Sequence, residues 1–154
     1  MRIQLILAGV FSATTLLGAR AASVDKTIDV QAPAAKVWAM IGPFCSIQSW
    51  HPAIGKCTET DGVRTLVTKD GKATFVEKQT ANEGMSYSYA IQKSPLPITD
   101  YTSTLKVTPK GDDASTVEWS STYTPDEGKA DAASGAISGM YQAGLDNIRK
   151  TAGK

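Results

Sequence analysis

The chain has 154 residues, one histidine, two cysteines and a formal net charge of +1, with 16 Lys and Arg against 15 Asp and Glu. A near-neutral balance with no basic stripe is unsuited to nucleic-acid binding, which rests on neutralising phosphates, so no nucleic-acid partner is expected. The length suits one domain with a real core, and no linker, repeat or low-complexity tract divides it.

Arg2 precedes an apolar run from Ile3 to Leu17, and Gly18-Ala19-Arg20-Ala21-Ala22 follows. A positive start, a short apolar run and small residues after it predict a secretory signal peptide over residues 1–22, cleaved after Ala21 or Ala22. The run falls short of the ~20 apolar residues of a membrane span and is broken by Ser12, Thr14 and Thr15. The expected product is residues 23–154, a single exported domain with no stable membrane insertion, periplasmic or secreted. Losing Arg2 and Arg20 takes its formal charge from +1 to −1.

Residues 24–31 alternate with period two, Val24, Lys26, Ile28 and Val30 against Asp25, Thr27, Asp29 and Gln31, which predicts a half-buried strand. Pro33 is placed to open a helix at its first turn, where a missing N–H costs nothing. Ala34, Val37, Trp38 and Ile41 then share one buried face, and Gly42-Pro43 ends the helix. Residues 44–50 predict a second short helix that stops before Pro52.

The stretch from Cys45 to Cys57 holds both cysteines, Trp50 and the only histidine, His51. Two cysteines in an exported chain read as one disulfide, which would stabilise the fold by about 3 kcal/mol in the chain-entropy model. The rival is two free thiols, or a metal pair with His51. That set offers three ligands at most, where structural metal sites use four. No metal is expected. His51 has three readings: a structural cap at a cavity rim beside Trp50, a ligand contact, or a general acid/base.

From residue 54 the pattern becomes strands separated by turns. Asp61-Gly62 and Asp70-Gly71 are hairpin signals bracketing a strand at about 63–69. Strand-like runs follow at about 72–80, 84–93, 100–109 and 114–124, and their short connections imply an antiparallel meander. In the last three strands the odd positions form one inward face: Met85, Tyr87, Tyr89 and Ile91; Tyr101, Ser103, Leu105 and Val107; Val117, Trp119, Ser121 and Tyr123. The tail, residues 127–152, is a helix with Ile137, Tyr141, Gly144 and Ile148 on one stripe, flanked by Met140 and Leu145. Gly135, Gly139 and Gly144 each cost about 1 kcal/mol in a helix relative to alanine. They make sense where the helix backbone must approach the sheet or leave room for something between.

Four pieces in this order resemble the START-like, or helix-grip (SRPBCC), superfamily: Val-Gln-Ala-Pro-Ala-Ala-Lys-Val-Trp at 30–38, Trp-His-Pro-Ala-Ile at 50–54, Ser-Pro-Leu-Pro-Ile-Thr-Asp-Tyr at 94–101 and Thr-Val-Glu-Trp-Ser at 116–120. The nearer likeness is to its bacterial polyketide cyclase/dehydrase and lipid-transport branch. Within it, the chain is similar to secreted members with a cysteine pair around Trp-His-Pro, including an accessory protein of bacterial methanol oxidation. The resemblance implies an α+β fold, a curved antiparallel sheet of about seven strands in the order β-α-α-β6-α, wrapped around a long C-terminal helix with an apolar cavity between them.

That cavity is where a small hydrophobic or aromatic ligand would sit, with Trp50, His51, Tyr87, Tyr89, Tyr101, Trp119, Tyr123, Met140 and Tyr141 as the expected contacts. Aromatics with small serines between them suit a cavity better than a dry core. Glu77 shares a strand face with Phe75. It is either an inward carboxylate of raised pKa, and then the leading acid/base candidate with Tyr89 or Tyr101 as hydrogen-bond donors, or half of a cross-strand pair with Arg64 or a neighbouring lysine on the wet face. No nucleophile elbow, phosphate-cradling loop or metal cluster is present, so no cofactor is expected. The functional expectation is an exported binding protein. The alternatives are a cyclase-, dehydratase- or hydrolase-type enzyme using the same cavity, and an accessory module docking an exported oxidoreductase.

Overall fold

Val24, Ile28 and Val30 put their side chains into the core from β1 (Ala22–Val30), as the alternation requires. A computed structural model provides the structure, which describes residues 20–153; most of the expected signal peptide lies outside the described residues. Pro33 stands one residue before α1 (Ala34–Ile41) with extended backbone, and its carbonyl accepts the Lys36 and Val37 amides at 3.0 and 3.1 Å. Ala34, Val37 and Ile41 are buried, whereas Trp38 lies half-buried at the edge of the helix. A 3₁₀ turn (Phe44–Ser46) and α2 (Ile47–Trp50) follow, so the second short helix forms in two pieces.

Six strands come next: β2 (Ile54–Thr60), β3 (Val63–Thr68), β4 (Thr74–Glu83), β5 (Ser86–Lys93), β6 (Ile98–Pro109) and β7 (Ser115–Pro125). All pair antiparallel in one seven-stranded sheet of order β1-β7-β6-β5-β4-β3-β2. The helical segment 34–50 therefore carries the chain from one edge of the sheet to the other. Asp61 and Gly62, both at positive φ (52° and 73°), make the tight β2–β3 hairpin.

Bulges bend the sheet around its concave face. Between Thr99 and Thr102 the β6 strand carries one residue more than β7. Asp100 takes up that residue at φ 51°, a conformation aspartate tolerates better than most side chains. Thr99 and Asp100 are both exposed and Tyr101 then turns inward. β4 and β5 slip twice more. The result is an α+β helix-grip fold.

The closing helix α3 (Ala130–Ala152) lays Ala133, Ile137, Tyr141, Gly144, Leu145 and Ile148 against the concave face. Of its three glycines only Gly144 answers to close packing. A Cβ there would stand 2.8 Å from His51, 2.9 Å from Trp119 and 3.1 Å from Trp50, while Gly135 and Gly139 face open space. The expectation of a close approach is thus corrected for Gly135 and Gly139. Gly144→Ala is expected to lower stability by about 1–2 kcal/mol in urea denaturation, because crowding three rings outweighs the ~1 kcal/mol helix gain. Gly135→Ala and Gly139→Ala should raise it by up to about 1 kcal/mol each. Gains at all three positions would contradict this packing. No helix among the described residues is long and apolar enough to cross a membrane.

Candidate functional site

Between the concave face and α3 lies a cavity of about 270 Å³. Its deep wall is aromatic: Phe75 on β4, Tyr89 on β5, Tyr101 on β6, Trp119 on β7 and Tyr141 on α3. Trp119 and Tyr141 stack with centroids 4.2 Å apart and planes 12° from parallel, so the helix is docked on the sheet through this pair. Nearer the outside the lining changes to Ala53, Thr68, Ala73, Ile91, Pro95, Leu96 and Met140, all exposed or half-buried. These residues, from the α2–β2 link, the ends of β3 and β5 with the turns that follow them, and one side of α3, frame the opening.

Of the expected contacts, His51, Tyr89, Tyr101, Trp119, Met140 and Tyr141 reach the cavity wall. Trp50, Tyr87 and Tyr123 do not; they are core residues behind it. Trp50 packs edge-on to Trp119 at 5.6 Å, Tyr87 against Phe44 at 5.4 Å, and Tyr123 stacks on Tyr101 at 6.4 Å. Leu66, Ile47 and Ile54 complete the wall, and nothing in their local patterns distinguishes them from ordinary core.

His51 is buried in the wall, beside Ala53 and Met140 at the opening. The Ala53 amide donates to its Nδ1 at 3.2 Å, which leaves the proton on Nε2, donated to the Met140 carbonyl at 2.9 Å. Both nitrogens are thus spent on backbone. Gly144, one turn beyond Met140, has no Cβ to obstruct the ring. Burial lowers the pKa of His51, against the pull of the Met140 carbonyl, so the imidazole is neutral at pH 7. With the folded value below the ordinary ~6.5, its stabilising contribution is complete above about pH 6.5 and is lost as the pH falls toward the folded value. Glu77, lifted by burial, works in the opposite sense. The readout is therefore the difference between wild type and His51→Gln: acidification from about pH 7 to about pH 5 should lower the wild-type urea midpoint more steeply. Parallel curves would remove His51 from the account.

Arg64 and Glu77 face each other across β3 and β4 in register. They form the expected pair, Nε to Oε2 at 2.7 Å, yet on the concave side and out of water; the expectation of a wet-face pair is corrected. Arg64 also donates through Nη1 to the Phe44 carbonyl and lies 3.9 Å over the Phe44 ring, tying the 3₁₀ turn to the sheet. Burial lifts the Glu77 carboxyl above its usual range, with Arg64 pulling it down. Desolvation works against the guanidinium's charge, and Glu77 with the nearby phenols more than offsets it, so Arg64 stays protonated. Glu77 lines the cavity and Arg64 stands behind it.

A chain of hydroxyls crosses the deep wall. Ser103 donates its one hydrogen to the Ser120 carbonyl at 2.8 Å, so Tyr141 must be the donor in its 2.8 Å contact with Ser103. Tyr101 in turn donates to Tyr141. The Trp119 N–H is shared between Ser103 and Tyr89, 3.1 Å from each. Burial raises the pKa of Tyr89, Tyr101 and Tyr141, keeping all three phenols neutral. Cys45 and Cys57 are joined as a disulfide, Cα–Cα 5.6 Å, pinning the loop that carries Ile47, His51, Ala53 and Ile54 into the wall. Among the described residues no group of three or more His, Cys, Asp or Glu is placed to hold a metal.

The arrangement has known counterparts. A family model described as polyketide cyclase / dehydrase and lipid transport matches residues 21–153. XoxI from Bacillus cereus is 31% identical, with 84% of this chain and 94% of that chain covered and a TM-score of 0.80. A Bacillus thuringiensis protein is 30% identical over 84% and 97% of the two chains, also at 0.80. The Zhui aromatase/cyclase of a Streptomyces species is 15% identical over 86% and 94%, with a TM-score of 0.68, a likeness of fold alone. No curated protein matches. A match across the whole sheet and its gripped helix leaves one conclusion: the chain belongs to the polyketide cyclase/dehydrase and lipid-transport family of the START-like superfamily.

Proposed function

We propose that this chain is an exported protein that holds a small hydrophobic or aromatic molecule in the cavity between sheet and α3. The observation that carries the reading is the cavity itself: an open, aromatic-walled space of about 270 Å³ whose polar groups are few and mostly hydrogen-bonded, the character of a ligand pocket. An apolar cavity of about 150 Å³ is enough for benzene, so the size supports one substituted ring or a fused pair. It does not suit a lipid with two acyl chains. Export is supported by the signal-like residues 1–22 and by the disulfide, a bond of oxidising compartments. Because β1 pairs from Ala22 onward, cleavage after Ala21 would leave the strand whole.

An enzyme built on His51 would need an imidazole nitrogen free to move a proton, and both are bonded to backbone. That takes His51 out of the enzyme reading and favours the binding role. Native mass spectrometry of the protein purified from its own host is expected to show a small-molecule adduct released on denaturation. A bare mass, together with no change in tryptophan fluorescence on adding small aromatic compounds, would end this reading.

A further inference from the structure

Most polar groups of the cavity wall are already engaged. Both His51 nitrogens are on backbone, and Thr68 donates to Asp70 while accepting from the Ala73 amide. Trp119, Tyr101 and Tyr141 have given their hydrogens to the hydroxyl chain. Glu77 and Tyr89 keep bonding capacity unspent. Glu77 spends Oε2 on Arg64, and its other oxygen accepts from no group among the described residues, although the side chain lines the cavity. Tyr89 accepts from Trp119, and its own hydrogen, which faces the Tyr101 oxygen, is the one a ligand can take over.

We infer, resting on the binding role above, that the ligand is a neutral one- or two-ring molecule carrying a hydroxyl, which donates to the free oxygen of Glu77 and accepts from Tyr89. A hydroxyl is the small neutral group that both donates and accepts through a single atom. An ammonium fits poorly, because Arg64 already neutralises Glu77 from 2.7 Å and a second buried cation would share one carboxylate. A carboxylate fits worse, since it would meet Glu77 directly. A plain hydrocarbon would fill the space and leave the carboxylate oxygen dry and unbonded, which is costly.

Calorimetric titration of the protein with toluene, p-cresol, benzylamine and benzoate tests this. The expected order puts p-cresol at least about tenfold tighter than toluene, the worth of a hydrogen bond to a charged group, with benzylamine and benzoate weaker than p-cresol. Glu77→Gln presents an amide donor where the acceptor stood and should bring the ratio of p-cresol to toluene toward one. Tyr89→Phe keeps the ring, removes the hydroxyl and should also reduce the ratio; it carries the test alone if Glu77→Gln does not fold. Equal affinity for toluene and p-cresol, or tighter binding of benzylamine, overturns the hydroxyl inference and leaves the binding role standing. Binding of none of the four overturns both.

Discussion

Glu77→Ala is expected to lower the unfolding free energy by about 3–5 kcal/mol, measured by urea denaturation followed through tryptophan fluorescence. The size of the effect comes from what is left behind. Arg64 is fully buried, with its guanidinium over the Phe44 ring, its Nη1 already on the Phe44 carbonyl and its Nη2 without a partner among the described residues, so nothing replaces the lost carboxylate. An uncompensated charge in that setting has neither water nor a counter-ion. The double variant Arg64→Met with Glu77→Leu should recover much of the loss, because two apolar side chains of similar volume replace a pair whose attraction roughly cancels its desolvation. A single-variant loss below about 1 kcal/mol would mean that the pair is solvated, as surface pairs are. The position of the pair also bears on the cavity, since a misplaced Arg64 would release the Phe44 turn and the wall that follows it.

Opening the Cys45–Cys57 bond, by reductant or by paired Cys→Ala substitutions, is expected to cost about 3 kcal/mol on the loop-entropy account. The bond closes a short loop, the two cysteines standing 12 positions apart. Beyond its ladder with β3, β2 has little to hold it: it is an edge strand with only Ile54 buried and Cys57 half-buried. One further tie is the Cys57 amide, which donates to Gln48 Oε1 at 2.7 Å. Because the same loop supplies His51 and three other wall residues, reduction should weaken ligand binding in parallel with stability. Urea midpoints that coincide with and without reductant would show that β2 and its loop are held by the sheet alone.

What could be read along the chain was what depends on neighbours in sequence. Period-two alternation located the strands because side chains point to opposite faces of a strand. Asp-Gly pairs marked turns because those residues accept positive φ. The inward set on β5, β6 and β7 followed from the same alternation, and so did the placement of Glu77 beside Phe75. The choice of face for Glu77 and Arg64 was not legible, since a charged pair at register positions reads most simply as a solvent-facing one. Only a carbonyl and an aromatic ring from the Phe44 turn, 20 residues earlier, make the buried arrangement tolerable.

The same limit explains the cavity. Tyr87 and Tyr89 have identical local patterns, yet Tyr89 lines the space and Tyr87 packs behind it. Which of two inward tyrosines meets a void is set by how the bent sheet and α3 enclose the space around each. His51 is the clearest case. Its sequence neighbours mark a reactive residue type in a pinned loop, and the two hydrogen bonds that remove it from proton chemistry include one to Met140, 89 positions away. That bond exists because Gly144 leaves room for the ring. Periodicity and short-range stereochemistry were enough for the order of elements and most of their buried faces, and the cysteine count for the disulfide. Which polar atoms are spent and which are left facing the cavity emerges in three dimensions alone, because hydrogen-bond partners are chosen by spatial proximity.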